Sequence, residues 1–127
     1  MEWRIDTSAP IYFQLVEQIK LGIVSGGYAP GERLPSVRDM ATEAGVNPNT
    51  MQRALTELER SGLVFPQRTA GRFVTEDKKM IDEAKRSLAE QTIRGFLDSM
   101  SRLGYMRSEI VTLLRSRVEE ESGNADI

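Results

Sequence analysis

The chain has 127 residues, of which 39% are apolar, 28% charged and 6% aromatic, a composition that fits one small domain or a domain with an appendage. It contains neither cysteine nor histidine, which excludes a disulfide framework, thiolate chemistry, histidine-dependent triads and the usual zinc sites. With no run of about 18 apolar residues and no pattern of a secretion leader, we expect a cytoplasmic protein, whose net charge of −2 argues weakly against nucleic acid as a partner.

The first predicted element is an amphipathic helix over about residues 10–25. Pro10 stands at its start, where a missing N–H costs nothing, and apolar residues recur after it at steps of three and four. Gly26 and Gly27 end this helix, and the segment 28–35 has the composition of a turn. The role of the preceding segment around Trp3 and Ile5 is left open.

Two shorter helices are predicted next, over 36–44 and about 48–61. Ser36 is a good N-cap for the first of them, while Asn47 followed by Pro48 starts the second. The apolar stripe of the second helix and of the segment after it is expected to form the core; its members are Met51, Ala54, Leu55, Leu58, Leu63 and Phe65.

The stretches LVFPQR and RFVT predict two short strands that are joined near Thr69-Ala70-Gly71. Three helices followed by a two-stranded hairpin, with a tight glycine-containing turn at 44–47, are typical of a winged helix-turn-helix. The predicted fold class is therefore mainly α, with a winged helix-turn-helix over residues 1–75 and a two-helix dimerisation domain over 76–127.

That second domain is predicted from a long helix over about 77–103, on the order of 40 Å long, and a final helix over about 107–121 before a frayed polar tail. Its apolar stripe is too long for the first 75 residues to cover, so a second copy of the chain is the expected partner. The predicted dimer interface consists of Ile81, Leu88, Phe96, Leu97, Met100, Leu103, Ile110 and Leu114.

The run YAPGERLPSVRDMATEAGVNPNTMQRALTELERSGLVFPQRTAGRFV, residues 28–74, resembles the DNA-binding domain of GntR-type bacterial transcription regulators. The resemblance lies in an ordered string: PGxxLPSxR, a Gly-Val turn, NTxxRALxxLE, and a glycine-containing wing that ends in FV. The short all-helical remainder is similar to the YtrA-like subgroup, which carries two helices in place of a ligand-binding domain. Pro48 and Thr69 depart from the arginine and glycine common at those family positions, and Arg72 stands where threonine is common.

The resemblance implies a DNA-binding face made from the second helix, the third helix and the wing. The residues predicted to contact DNA are Arg33, Ser36, Arg38, Asn47, Asn49, Thr50, Gln52, Arg53, Arg68, Gly71 and Arg72. Six arginines and four acids between Arg33 and Thr75 give this region a local charge of +2, and arginine suits bidentate contacts with guanine and phosphate. The structural alternatives at these positions are helix capping and surface ion pairs.

The sequence thus predicts a transcription regulator that binds double-stranded DNA, and specifically a repressor that acts as a homodimer on an inverted-repeat operator. Control of a transporter operon is implied by the YtrA-like resemblance alone. The alternative is a winged-helix protein-interaction adaptor without DNA binding, which the acidic isoelectric point and Thr69 support.

An enzyme, a cofactor and a metal are not expected, because only carboxylate pairs remain and no two acids have a convincing pocket beside them. Regulation is left open between two mechanisms. One is a small-molecule effector at the dimer interface; the other is a change in the angle between two DNA-binding heads, hinged near residues 75–80.

Overall fold

The computed structural model describes residues 1–125, which form five helices and one two-stranded antiparallel sheet. The helices are α1 (Ile11–Val24), α2 (Val37–Ala44), α3 (Pro48–Ser61), α4 (Lys78–Arg102) and α5 (Arg107–Ala125), and the strands are β1 (Val64–Gln67) and β2 (Gly71–Val74). The predicted fold class, a winged helix-turn-helix followed by two further helices, is confirmed. Helix α5 continues to Ala125, past the predicted end at residue 121, and the last two residues of the predicted tail lie outside the described residues. None of the helices in residues 1–125 combines the length and the apolar character that crossing a membrane requires.

Contacts divide the chain into two units, residues 1–88 and the residues from Ala89 onward. In the first unit α1, α2 and α3 pack around one apolar core, against which the base of the hairpin and the start of α4 also lie. The buried members of this core are Leu15, Val16, Ile19, Ile23, Leu34, Met40, Ala41, Met51, Ala54, Leu55, Leu58, Leu63, Val64, Val74 and Ile81.

Capping residues fix where α2 and α3 begin and how the chain turns between them. The hydroxyl oxygen of Ser36 accepts a hydrogen bond from the Asp39 N–H at 3.1 Å, which satisfies one of the free donors at the start of α2. Gly45 ends that helix in the left-handed region at φ +72°, a conformation that glycine adopts without steric cost. The side-chain oxygen of Asn47 then caps α3 through the Asn49 N–H at 2.8 Å. The predicted caps of both helices are therefore present.

The hairpin register places Val64 opposite Val74 and turns both side chains into the core. Successive side chains of a strand point to opposite faces, so Phe65 lies on the outer face and is 37% exposed. The prediction of Phe65 as a core residue is therefore wrong. Its ring instead stacks on that of Phe73, with the two centroids 6.1 Å apart.

The N-terminal segment is fastened along α1 by two glutamine side chains that lie one helical turn apart. The Gln18 amide accepts from the Arg4 N–H at 2.9 Å and donates to the Arg4 carbonyl at 2.8 Å. The Gln14 amide makes the same pair of bonds with Asp6, at 3.0 and 2.8 Å. The two amides thus bond the backbone of this segment as a neighbouring strand would. Its apolar side chains, Trp3 and Ile5, pack against the core.

The segment between the hairpin and α4 is also fastened to the first unit. A hinge near residues 75–80 is one of the two regulatory mechanisms that the sequence leaves open. The Thr75 N–H donates to the Leu63 carbonyl at 2.9 Å, and the Thr75 hydroxyl oxygen accepts from the Asp77 N–H at 3.1 Å. Ile81, only 9% exposed, packs in the core of this unit. The structure therefore assigns Ile81 to the winged-helix core rather than to the predicted dimer interface, because the first turns of α4 complete that core.

We expect Gln18→Ala to lower the free energy of unfolding by about 1 kcal/mol, since it removes two hydrogen bonds that hold the N-terminal segment. Urea unfolding followed by the fluorescence of Trp3, the single tryptophan, measures this directly. Gln91→Ala, at an exposed glutamine of α4, is the matched control and should change the midpoint little. Equal shifts in the two variants would show that the glutamine bonds contribute nothing.

Candidate nucleic-acid interface

The apolar face of α3 packs in the core, so the polar face of the helix is directed outward. Asn49 and Arg53 lie one turn apart on the exposed side, Gln52 is exposed beside them, and Thr50 is half-buried. Four of the predicted DNA-contacting side chains therefore lie together at the start of one helix. Amide and guanidinium groups in such an arrangement suit the donor and acceptor pattern of base edges in a major groove.

Two of the predicted contact residues, Ser36 and Asn47, also serve as helix caps. Each uses its side-chain oxygen to accept a backbone N–H, at the start of α2 and α3 respectively. The hydroxyl hydrogen of Ser36 and the amide hydrogens of Asn47 are not used in these bonds. The structural role and a contact with an anionic oxygen are therefore compatible at both positions.

The structure brings Arg33 to the wing, although about 40 residues separate the two in sequence. Arg33 forms an isolated antiparallel bridge with Phe73, and the Leu34 N–H donates to the Arg72 carbonyl at 2.8 Å. The Arg33 guanidinium passes so close over Gly71 that a Cβ there would lie 3.1 Å from its Nε. Gly71 also has φ +96°. Both observations explain why this position is a glycine.

Arg72 is held differently from the other wing residues, because its guanidinium pairs with Glu59 of α3. The Arg72 Nε donates to a Glu59 carboxylate oxygen at 2.5 Å, and the two side chains are only 19% and 24% exposed. The pair ties the hairpin to α3. The ion pair also uses one N–H donor of Arg72 and offsets its positive charge. Among the arginines predicted to contact DNA, Arg72 is therefore the least available to a phosphate.

The tip of the wing carries the exposed Arg68 on a strained turn. The Ala70 N–H donates to the Gln67 carbonyl at 3.1 Å, which closes a four-residue turn, and Thr69 stands third in it at φ +63°. That position is normally glycine or asparagine, because a β-branched side chain crowds the backbone there. The departure from the family glycine at residue 69 is thus accommodated by the hairpin at a local steric cost.

Sequence reasoning missed one residue at this surface, Tyr12 of α1. Its spacing fits the apolar stripe of the first helix, yet the structure puts its ring against the guanidinium of Arg53, with Cζ 3.6 Å from the ring centroid. The contact joins the start of α1 to the start of α3. The sequence does show an aromatic residue at the border between the apolar and polar faces of the helix. That position does not show which side chain the ring contacts.

The arginines between residues 33 and 75 differ in whether an acidic side chain offsets their positive charge. Arg60 pairs with Glu57 on the exposed side of α3, at 3.1 Å, and Arg72 pairs with Glu59. The other four arginines between residues 33 and 75 have no carboxylate within 4 Å in the described part of the chain; they are Arg33, Arg38, Arg53 and Arg68. Two of the four acids of this region thus pair with two of its six arginines, and a third, Glu43, lies 3.1 Å from the N-terminal amine.

No group of three or more acidic side chains in residues 1–125 is arranged to hold a metal ion. The side chains predicted to form this site are mainly arginines, amides and hydroxyls, which bind anionic and hydrogen-bonding surfaces.

The family model for bacterial regulatory proteins of the gntR family matches residues 11–74, which span α1 to the end of β2. This chain belongs to the GntR family. It is accordingly a transcription regulator with a DNA-binding domain, as the motif string predicted, and the matched region contains every residue of the predicted DNA-binding face.

Two relatives extend the similarity of this GntR chain beyond the DNA-binding domain. It is 38% identical over 119 residues to the HTH-type transcriptional regulator YhcF of Bacillus subtilis, covering 94% of this chain and 98% of that protein. It is 37% identical over 89 residues to the HTH-type transcriptional repressor YtrA of the same organism, covering 69% of this chain and 68% of that protein. The predicted resemblance to YtrA-like proteins is therefore confirmed.

Solved structures agree with this GntR fold. A GntR family transcriptional regulator from Listeria monocytogenes is 39% identical, with a TM-score of 0.79, and the superposition covers 88% of this chain and 98% of that one. The DNA-binding domain of AraR in complex with operator ORX1 is 25% identical, with a TM-score of 0.55 over 59% of this chain and 96% of that one. The winged helix of this chain is thus similar to one that has been seen on operator DNA.

We expect Glu59→Ala to lower the free energy of unfolding by roughly 1–2 kcal/mol, because it leaves a largely buried arginine without its carboxylate. Glu57→Ala removes an acid of the same helix whose partner Arg60 is 75% exposed, and should cost less than about 0.5 kcal/mol. Thermal unfolding of both variants tests the difference. If the two midpoints fall together, the pair does not fasten the wing.

Proposed function

We propose that this GntR-family regulator is a repressor that binds an inverted-repeat operator as a homodimer, in the cytoplasm, and controls a transporter operon. The observation that carries the proposal is the distribution of charge between α2 and the wing. Arg33, Arg38, Arg53 and Arg68 have no carboxylate within 4 Å among the described residues, and the exposed Asn49 and Gln52 stand beside Arg53 at the start of α3.

In the proposed complex α3 enters the major groove, where Asn49, Gln52 and Arg53 meet base edges. Arg38, the second residue of α2, binds the phosphate backbone together with the Ser36 hydroxyl. Arg33 and Arg68 place positive charge at the wing, beside the adjacent backbone or minor groove. Phosphate contacts of this kind set the register on the duplex, and base contacts set the sequence.

The homodimer is supported by the unit that begins at Ala89. Within residues 89–123 the structure buries one side chain, that of Ile110, while large apolar residues remain exposed along both helices and in the turn between them. The most exposed of these are Ile93, Leu103, Met106, Val111 and Val118. Exposed apolar surface of this extent, on two helices that bury almost nothing of their own, is expected where another surface covers it. A second copy supplies such a surface with two-fold symmetry.

The remaining predicted interface residues vary in exposure within one chain. Phe96, Leu103 and Leu114 are exposed, Leu88, Leu97 and Met100 are partly buried, and Ile110 is already covered. We therefore propose that the exposed members form the contact between copies. Two DNA-binding heads related by a two-fold axis fit an operator whose half-sites lie about 34 Å apart, or a multiple of that.

Repression and the transporter operon have a narrower basis. Repression is supported by the name of the relative YtrA, an HTH-type transcriptional repressor. The transporter operon is carried over from the YtrA-like resemblance alone. Physically, a dimer bound over a promoter excludes polymerase, and no further catalytic group is required of the protein.

We expect Arg38→Ala to weaken binding to the region upstream of the protein's own gene by at least about tenfold, since a charge-assisted phosphate contact contributes roughly 1.5–3 kcal/mol. Gel-shift titration at fixed salt measures the effect. Arg117→Ala on α5, whose partner there is Glu121, removes the same charge outside the winged helix and should leave the affinity unchanged. A wild-type chain that shifts no upstream DNA would favour the adaptor function.

We expect Leu114→Glu to convert the dimer into monomers without unfolding them, because the side chain is 46% exposed within one chain and tolerates charge there. A carboxylate in an apolar interface costs roughly 2 kcal/mol or more, so the dimer dissociation constant should rise at least about thirtyfold. Light scattering distinguishes twice the 14.3 kDa chain mass from one. Leu21→Glu, 58% exposed on α1, is the matched control and should remain dimeric. A monomeric wild type would refute the homodimer.

A further inference from the structure

We propose that Tyr12 is a positioning residue of the DNA-binding site, which holds the guanidinium of Arg53 toward the hydrogen-bond acceptors of an operator duplex. The inference rests on the proposed function and adds to it a residue from outside the helix-turn-helix. It starts from the contact in which Arg53 Cζ lies 3.6 Å from the centroid of the Tyr12 ring.

The distance identifies a close cation–π contact, since such interactions extend to about 6 Å from the centroid. A guanidinium group is planar and carries its five N–H donors at its edge. A ring that lies over the face of this plane therefore fixes its position without using a donor. Arg53 has no carboxylate partner among the described residues, so the edge remains available for another ligand.

The Glu59–Arg72 pair shows how an ion pair, in contrast to an aromatic contact, restrains an arginine. There the guanidinium edge itself meets the carboxylate, and both charge and donor are occupied. Tyr12 holds Arg53 and leaves its charge intact. The contrast within one small domain indicates that Arg72 acts as a structural tie, while Arg53 is kept ready to bind.

Location connects this contact to the DNA-binding face. Arg53 lies one helical turn after Asn49, on the side of α3 that faces away from the core. Both residues line a groove between the start of α1 and the start of α3, whose lining consists of Pro10, Ile11, Tyr12, Asn49, Thr50 and Arg53. Tyr12 thus belongs to the same surface as the proposed base-reading side chains.

Holding Arg53 in advance increases affinity because a free arginine side chain has roughly 2 kcal/mol of rotamer entropy to lose on binding. Tyr12 is half-buried on the regular helix α1, so its ring has a fixed place from which to restrict the arginine. Preorganisation of this kind lowers the cost of ordering at the interface. We therefore assign to Tyr12 an effect on binding that is expressed only through Arg53.

The test begins with selection of operator duplexes from a random DNA library by the wild-type chain, followed by affinity measurements on the selected duplex. Tyr12→Phe keeps the aromatic face and should bind within about twofold of wild type. Tyr12→Leu should weaken binding about two- to fivefold, the range expected for an exposed cation–π contact. Phe13→Leu, at the neighbouring exposed aromatic residue of α1, is the matched control and should bind like wild type.

The decisive measurement is the double variant Tyr12→Leu with Arg53→Ala. If Tyr12 acts through Arg53, adding Tyr12→Leu to Arg53→Ala changes the affinity no further. Equal effects of Tyr12→Leu in both backgrounds would overturn the proposal. Arg53→Lys supplies an independent check on an exposed position that folding tolerates: it keeps the charge but not the planar group, and wild-type affinity in this variant would also overturn the proposal.

Two further readings distinguish the acceptor that Arg53 meets. Contact with a base edge predicts that Tyr12→Leu relaxes the selected preference at one base-pair position and leaves the others unchanged. Contact with a phosphate predicts an unchanged preference and, where Arg53→Ala removes the charge, a salt dependence of log K that is lower by about 0.9. Either result supports the positioning role; an unchanged preference together with an unchanged salt dependence in Arg53→Ala would show that Arg53 does not contact DNA, which refutes it.

Failure of the proposed function is recognised separately. A wild-type chain that selects no duplex overturns DNA binding, and the role of Tyr12 falls with it. A wild-type chain that binds and is sensitive to Arg38→Ala, but shows no coupling between Tyr12 and Arg53, overturns only the role of Tyr12.

Discussion

The DNA-binding face depends on how α3 is anchored in the core. Met51, Ala54, Leu55 and Leu58 are fully buried on one side of this helix, at the spacing that the 3.6-residue period requires. Rotation of the helix would expose this stripe, at a cost of roughly 1.5–3 kcal/mol for each large side chain. The polar side chains on the other face, including Asn49 and Arg53, are therefore held outward by the burial of their neighbours. The wing and α1 pack against this fixed helix, and each also meets it through one contact that involves an arginine.

Those two contacts use arginine in opposite ways. On the wing side, Arg72 meets Glu59 through its edge, so a partly buried ion pair fastens β2 to α3. On the α1 side, Arg53 lies over the Tyr12 ring, so an aromatic face restricts a cation that keeps its donors. The first arrangement gives rigidity to the hairpin, and the second gives orientation to a recognition residue. Both arise from tertiary packing, because neither pair is close in sequence.

Local signals explain why so much of the fold was predictable. The caps Ser36 and Asn47, the helix-ending Gly45 and the proline at position 48 act within a few residues, so helix ends follow directly from the sequence. The apolar stripe of α3 likewise identified four core residues correctly. The prediction that Phe65 is a core residue was wrong because a strand of four residues is too short for its pattern to show which side chains face inward. A shift of one position reverses which side chain enters the core.

The site was predictable as a set of residue types but not as a set of contacts. Arg33 reaches the wing only because residues 31–34 lie beside β2, a pairing that no local pattern specifies. The spacing of Tyr12 fits the apolar stripe of α1, and that spacing does not show that the ring contacts Arg53. Ile81 fitted the stripe of α4, yet the first turns of that helix belong to the winged-helix core. For Tyr12 and Ile81 the helical periodicity was correct, but only the fold shows which part of the protein covers each side chain.

The acidic composition illustrates the same distinction between totals and positions. Residues 1–75 carry eight acidic and eight basic side chains, and residues 76–127 carry eleven acidic and nine basic ones, so the net charge of −2 comes from the helical remainder. Within the winged helix, Glu57 and Glu59 are paired with Arg60 and Arg72. The acids of α3 thus offset Arg60, in the last turn of the helix, and Arg72 of β2, while Arg53 has no carboxylate partner among the described residues. Because exposed charges act over a Debye length of about 8 Å at physiological salt, the phosphates of a duplex respond to this local arrangement more than to the net charge of the chain.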